Sequence, residues 1–323
     1  MAARVILAGI DEAGLGPLLG SLALGHAWLE VPADALDPWR ALRPCVARKP
    51  SKRARFAVGD SKLVFQRTAR GARRLEEAVL AFHAAAHGGA LARDARAFLQ
   101  AGGTPAAALQ ALPWADELAT LPADCPRETL ELGTEVLARA LRRAGIEVLS
   151  CGVRLVSAAE LNEAWARSGN KAETVWELVA AVLARAWELR ARGTVLATVD
   201  MLGGRRRYGA RLARAFPDAR VSLVEESSLR SAYLLEERGG PGRMELEFRV
   251  KGESHSFAVA LASCCAKYAR ELEMAAFNRF FTRLQPGLAP TAGYRQDGAR
   301  WLAEAAPALA QCGLARSALV RER

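Results

Sequence analysis

The chain has 323 residues, 51% hydrophobic and 25% charged, an ordinary globular balance with enough apolar material for a core and room for two domains or one large domain with an insertion. Lys and Arg number 45 against 35 Asp and Glu, a net charge of +10 that favours a polyanionic partner such as nucleic acid, although only six of those basic residues are Lys and the Arg bias is partly compositional. No uninterrupted run of 18 apolar residues occurs, which excludes a membrane span, and the acidic pair Asp11-Glu12 after one short apolar run excludes a signal peptide.

In chain order, Val5–Ile10 (VILAGI) is apolar and β-branched and predicts a buried strand ending at Asp11. Gly14, Gly16 and Pro17 predict a turn, and the apolar stretch Leu18–Val31 a second strand returning as a hairpin. Ala47–Arg55 (ARKPSKRAR) is a basic loop leading to Gly59-Asp60-Ser61-Lys62. Residues 66–146, rich in Ala, Leu and Arg with Gly/Pro breaks, predict several short helices and an inserted helical subdomain. Glu147–Val156 reads as a strand. Ala172–Arg190 reads as a helix with Val175, Leu178, Val179, Val182, Leu183 and Trp187 on one face. Thr194–Asp200 (TVLATVD) predicts a central strand that, like the first, ends in a carboxylate. Arg220–Glu226 predicts a further strand, Leu234–Val250 a hairpin around Gly239–Gly242, Ser254–Phe280 a long helix and Asp297–Gln311 a shorter one. Strands alternate with helices, so the class is α/β, where chemistry gathers at the carboxyl ends of strands.

Two adjacent carboxylates at a buried strand end repel each other and resist desolvation. A divalent cation relieves both, and Mg²⁺ or Mn²⁺ prefers oxygen ligands. Glycines nearby permit close approach of a ligand to the backbone. The six cysteines have no CxxC spacing and no His at zinc-ligand distance, which fits reduced, mostly buried thiols in a cytosolic protein.

Ile10–Gly20 (IDEAGLGPLLG) resembles the opening motif of the type 2 ribonucleases H: bacterial RNase HII, RNase HIII and the eukaryotic H2 catalytic subunit. Gly59-Asp60-Ser61-Lys62-Leu63 is similar to that family's Asp-Ser-Lys element. Thr198-Val199-Asp200, with Tyr208, Leu212, Phe216 and Pro217, is similar to the segment around its third carboxylate. Lys251-Gly252-Glu253-Ser254, with Ala262–Lys267 and Arg270-Glu271, resembles the element holding the fourth, and Gly293-Tyr294 resembles its C-terminal Gly-Tyr element. These matches fall in family order over residues 5–64, 147–217 and 250–301.

The resemblance implies an RNase H-like fold, a mixed central sheet flanked by helices, in a single catalytic domain over 1–323. The 66–146 segment is then a helical insertion, and 281–323 a C-terminal helical segment contributing to substrate binding. It implies a tetrad, Asp11, Glu12, Asp200 and Glu253, as catalytic and metal-binding residues holding two Mg²⁺ or Mn²⁺ ions. The implied reaction is endonucleolytic cleavage of the RNA strand of RNA/DNA hybrids, leaving 5′-phosphate and 3′-hydroxyl ends. Gly14, Leu15, Gly16, Lys62, Tyr294, Arg205 and Lys267 are the expected substrate-binding residues, within the Arg205–Arg207 loop in the case of Arg205. His255 is expected to be structural. A monomeric, cytoplasmic protein without a membrane partner is expected.

Two features depart from the family. Leu15 stands where Arg or Lys is usual, and Leu neither donates a hydrogen bond nor carries charge. Glu253 matches the RNase HIII pattern rather than the Asp of RNase HII. The first departure puts recognition of an RNA–DNA junction in question and leaves, as the alternative, a non-catalytic or retuned nucleic-acid-binding paralogue.

Overall fold

The computed structural model describes residues 3–322. In chain order the elements are β1 (Arg4–Ala13), β2 (Leu22–Pro32), α1 (Pro38–Ala41), β3 (Val46–Ala47), β4 (Phe56–Ala57), α2 (Ser61–Phe65), α3 (Ala69–Ala86), α4 (Ala95–Ala101), α5 (Ala106–Gln110) and α6 (Arg127–Ala144). There follow β5 (Glu147–Val156), α7 (Ala158–Ser168), α8 (Lys171–Glu188), β6 (Thr194–Asp200), α9 (Gly209–Ala215), β7 (Ala219–Glu226), β8 (Arg230–Glu237), β9 (Arg243–Arg249), α10 (Phe257–Leu284), α11 (Arg295–Glu304) and α12 (Ala306–Cys312). Seven strands form one mixed sheet in the order β5-β2-β1-β6-β9-β8-β7. The three central strands β1, β6 and β9 run parallel, and the flanking pairs are antiparallel. The mixed sheet with helices on both faces is the RNase H-like α/β architecture that the motifs led us to expect.

Alternation along β1 decides the layers. Ile6, Ala8 and Ile10 join Val179, Leu183 and Trp187 of α8 in one buried cluster. Val5 and Leu7 face the other side, where β2, β5, α3, α6 and α10 share a second cluster. Helix α10 is buried along most of its length, and small residues (AVALASCCA) let it lie close on the sheet. A Cβ on Gly9 would sit 2.1 Å from the Ala258 carbonyl carbon, and one on Gly25 would sit 2.0 Å from the Ala262 oxygen. Neither backbone atom can swing aside. Gly9→Ala is therefore expected to force helix and sheet apart and cost about 3 kcal/mol or more. Thermal unfolding checks this; an unchanged Tm would contradict so close a contact.

Several boundaries differ from the sequence expectation. Within 66–146, α3 and α6 each run 18 residues rather than being short, and they pack into the same buried cluster as β2, β5 and α10. The helix expected from Ser254 begins at Phe257, because Ser256 caps it by accepting from the Val259 N–H, and Gly252–Ser254 forms a separate 3-10 turn. The single helix expected over Asp297–Gln311 is two, meeting at Ala305, with Pro307 in the first turn of the second, where its missing N–H is harmless. Helix α7, capped by Ser157, was not anticipated.

The C-terminal segment returns to the turn after β1. The Leu18 and Leu19 N–H groups donate to the Gly293 carbonyl at 2.8 and 3.1 Å, and the Arg321 N–H donates to Leu18 at 2.9 Å. Beneath them the buried Arg270 guanidinium donates to the carbonyls of Ser21, Leu19 and Ala292. Glu273, fully buried beside it, accepts from the Ser21 hydroxyl and N–H. This clamp fixes the Gly14–Ser21 turn and brings Tyr294 to the same edge of the sheet.

Candidate active site

The β1–β6 register pairs Ile10 with Val199, so Asp11 and Asp200 emerge side by side at the carboxyl ends of two parallel strands. Asp200 Oδ1 accepts from the Gly252 N–H at 2.9 Å, which ties the 3-10 turn carrying Glu253 to the end of β6. Glu12 follows Asp11 on β1, and its N–H donates to Asp11 Oδ1 at 2.8 Å. All four carboxylates line one cleft of about 1010 Å³.

Gly14, Leu15, Gly16, Lys62, Lys267 and Tyr294 line the same cleft. Lys62 is exposed near the start of α2, where Asp60 caps the helix by accepting from the Lys62 N–H at 2.9 Å. Lys267 pairs with Glu271 and lies over the Phe65 ring at 4.6 Å. Tyr294 is 47% exposed, with the Arg67 guanidinium 5.9 Å from its ring centre. Arg205 is not in this cleft. Its guanidinium turns away to the Ala172 carbonyl at 3.2 Å and Glu173 at 3.7 Å, while Arg206 lines the cleft instead. His255 is exposed and lies in a separate groove. Asp60, Arg67 and Arg270 were not expected in the cleft, although Asp60 and Arg270 stand inside recognised motifs, and Arg206 was named only as part of the Arg205–Arg207 loop.

Electrostatics mark the site. Burial, with repulsion from Glu12 and then Asp200, raises the Asp11 carboxyl well above the usual range, against a lowering effect of the Ser263 hydroxyl. Glu12 is pushed up to about 7 by burial and by Asp200. Asp200 is raised by burial, opposed by the Gly252 and Met201 N–H groups and by Lys62. Glu253 is raised by burial and by repulsion from Asp200 and Asp60, with Lys62 opposing. Among the described residues none of the four forms an ion pair within 4.0 Å.

No three His, Cys, Asp or Glu side chains among the described residues converge into a ready-made cation cage. The donor chemistry nonetheless suits a hard divalent ion. The cleft offers carboxylates and the hydroxyls of Ser61 and Ser263, and among the described residues no thiol or imidazole lines it. Crowded carboxylates that burial holds toward neutrality are what a bound cation would relieve.

No family model matches the sequence, and no curated protein matches it. In three dimensions the chain is similar to RNase HII of Archaeoglobus fulgidus, solved in complex with PCNA: 17% identity over 98% of this chain and 94% of that one, TM-score 0.40. The ribonuclease H2 of Pyrococcus horikoshii OT3 matches at 14% identity over 97% and 92%, TM-score 0.41. Aquifex aeolicus RNase H3 matches at 13% over 98% and 71%, TM-score 0.41. The structures it resembles are type 2 ribonucleases H. Identities and TM-scores this low say nothing of chemistry; what speaks to chemistry is the motif order and the cleft into which the fold gathers those motifs.

Proposed function

We propose that this protein is a divalent-metal-dependent endonuclease of the type 2 RNase H kind, cleaving the RNA strand of RNA/DNA hybrids. One observation carries the reading: four carboxylates from three separate elements, none of them ion-paired among the described residues, line a single cleft together with Lys62 and Tyr294. Asp11, Glu12, Asp200 and Glu253 would hold two Mg²⁺ or Mn²⁺ ions, which supply activation of the attacking water and stabilisation of the leaving 3′-oxygen. Lys62 and Arg206 place positive charge where the phosphate backbone would run. Tyr294, exposed and fixed to the Leu18–Leu19 backbone through Gly293, offers a face for a sugar in the minor groove of the hybrid. In this way the 281–323 segment contributes to substrate binding.

Gly16 supports a ligand at this turn. A Cβ there would meet nothing within 4 Å, so no packing contact calls for glycine. Close approach of a substrate backbone would supply the reason.

Leu15, 42% exposed on the cleft wall, favours a narrower substrate range. An apolar side chain there cannot donate to a ribose hydroxyl or a phosphate at an RNA–DNA junction. The all-RNA strand of a hybrid should be cut well, and a DNA duplex carrying one ribonucleotide poorly. Leu15→Arg should raise cleavage of the single-ribonucleotide duplex by roughly ten- to a hundredfold, the value of one charge-assisted hydrogen bond, with little change on the hybrid. Equal cutting of both duplexes by the parent protein would remove this role for position 15. Binding of both without cutting would favour a non-catalytic paralogue.

A further inference from the structure

We propose that a pocket on the far side of the Leu15–Pro17 turn binds a nucleoside monophosphate unit. The pocket encloses about 640 Å³, the size of a small-molecule site. Leu15, Pro17, Leu18, Val175, Leu202 and the Trp165 indole make its walls largely apolar. Among the described residues no carboxylate lines it, and its polar side chains are Arg205, Arg321, Lys171 and the Trp165 N–H.

These donors are unevenly used. Five buried side-chain nitrogens among the described residues have no hydrogen-bond partner, and three of them, Trp165 Nε1, Arg205 Nη1 and Arg321 Nη2, belong to residues lining this one pocket. Arg321 is only 4% exposed. Its Nε donates to the Gly20 carbonyl at 2.8 Å and its Nη1 to the Gly14 carbonyl, which leaves the third nitrogen spare. Arg205 spends Nη2 on the Ala172 carbonyl and leaves Nη1. Buried donors left without acceptors are unfavourable, and each calls for an explanation such as a bound water, ion or ligand. The first residues of the 18-residue helix α8, Lys171 and Ala172, also line the pocket, with the Ala172 and Glu173 N–H groups already donating to the Asn170 side chain.

The ligand must therefore accept hydrogen bonds, carry negative charge and present a flat apolar body. Inorganic phosphate would leave the apolar walls bare. An apolar ligand would leave three donors unpaired. A nucleotide offers both, with its phosphate drawn to the guanidinium groups and its base to the aliphatic wall beside the Trp165 ring, over which the Lys171 Nζ lies at 4.3 Å. Leu15, Gly16, Pro17 and Gly204 line both this pocket and the carboxylate cleft. A nucleotide splayed from a strand lying in the cleft would reach the pocket across that shared wall, and that source rests on the proposed nuclease reading. The exposed Leu15 then serves as a partition between two sites.

The test is calorimetric titration with adenosine monophosphate in EDTA, followed by hybrid binding by the Asp200→Asn protein, with and without one unpaired nucleotide. Ala172→Phe, at an exposed position on the rim, fills the pocket without touching the core, and Trp165→Phe removes the indole N–H while keeping a ring. The expected result is binding by the parent and by Asp200→Asn, weakened at least tenfold by Ala172→Phe and less by Trp165→Phe, with an unchanged far-ultraviolet spectrum. A preference for the hybrid with the unpaired nucleotide, lost in Ala172→Phe, identifies the strand as the source, even if the free mononucleotide does not bind. Mononucleotide binding, or a preference for the unpaired nucleotide, that Ala172→Phe leaves untouched would overturn the proposal, as would no mononucleotide binding together with no preference. Because both readouts are binding, a failure to find nuclease activity would leave this result standing on its own.

Discussion

Asp200→Asn is expected to abolish hybrid cleavage while leaving the metal-free protein as stable as the parent or more so. Asparagine has the same shape, and its Oδ1 can still accept the Gly252 N–H that holds the Glu253 turn. What goes is a half-buried negative charge that repels Asp11, Glu12 and Glu253 and raises the carboxyls of all three. A structural carboxylate would behave in the opposite way, since its removal normally costs stability. The expected activity loss is on the order of a thousandfold or more, with hybrid binding retained because the phosphate contacts lie elsewhere. Activity measured alongside Tm checks both halves. Surviving cleavage would remove Asp200 from the chemistry, and a Tm several degrees lower would make it a structural residue.

The second large effect is a coupling of stability, pH and divalent ions. The Glu12 carboxyl sits at about 7 in the folded chain against an ordinary 4.5. Between those values the folded state holds a proton that the unfolded chain has released, so stability falls as pH rises through that window. Asp11, Asp200 and Glu253 shift in the same direction. Two buried imidazoles act against them. His26 is lowered to about 3 and His83 to about 4 from 6.5, chiefly by burial, so below pH 6.5 the unfolded chain takes up protons that the folded one refuses. At pH 6.5 the unfolded imidazoles are still half protonated, so they oppose the carboxylate effect until about pH 7.5, above which they are essentially neutral in both states. Metal-free protein should lose Tm between pH 7.5 and 8.5, where Glu12 and the more strongly raised Asp11 give up protons and the imidazoles no longer contribute. Mn²⁺ should restore more at pH 8 than at 6.5, because ions bind the ionised carboxylates; at a hundredfold its dissociation constant an ion adds about 2.7 kcal/mol. A Tm that rises from pH 7.5 to 8.5 without metal, or a Mn²⁺ effect independent of pH, would contradict the carboxylate cluster.

Much of this was legible because the strands near the cleft announce themselves. VILAGI and TVLATVD are too apolar to be anything but buried, and each runs into a carboxylate, so the parallel pairing that sets Asp11 beside Asp200 follows from α/β rules. Glu253 was readable only through its motif, since a 3-10 turn after a strand has no periodicity to find. The choice between Arg205 and Arg206 was not readable at all. Gly203 and Gly204 both take positive φ, at 53° and 77°, and the turn they set decides which guanidinium faces the cleft. The clamp of Arg270 and Arg321 on the Gly14–Ser21 turn joins residues some 250 to 300 positions apart, beyond any local pattern. The break near Ala305, by contrast, was marked in the sequence by Pro307.

The most direct test of the central claim is incubation of an end-labelled RNA/DNA hybrid with the parent protein and Mg²⁺ or Mn²⁺, with mapping of the product ends. Internal cuts in the RNA strand alone are expected, giving 5′-phosphate and 3′-hydroxyl ends and abolished by EDTA and by Asp200→Asn. Cleavage that persists in EDTA, or a hybrid that is bound and never cut with either ion, would contradict that claim.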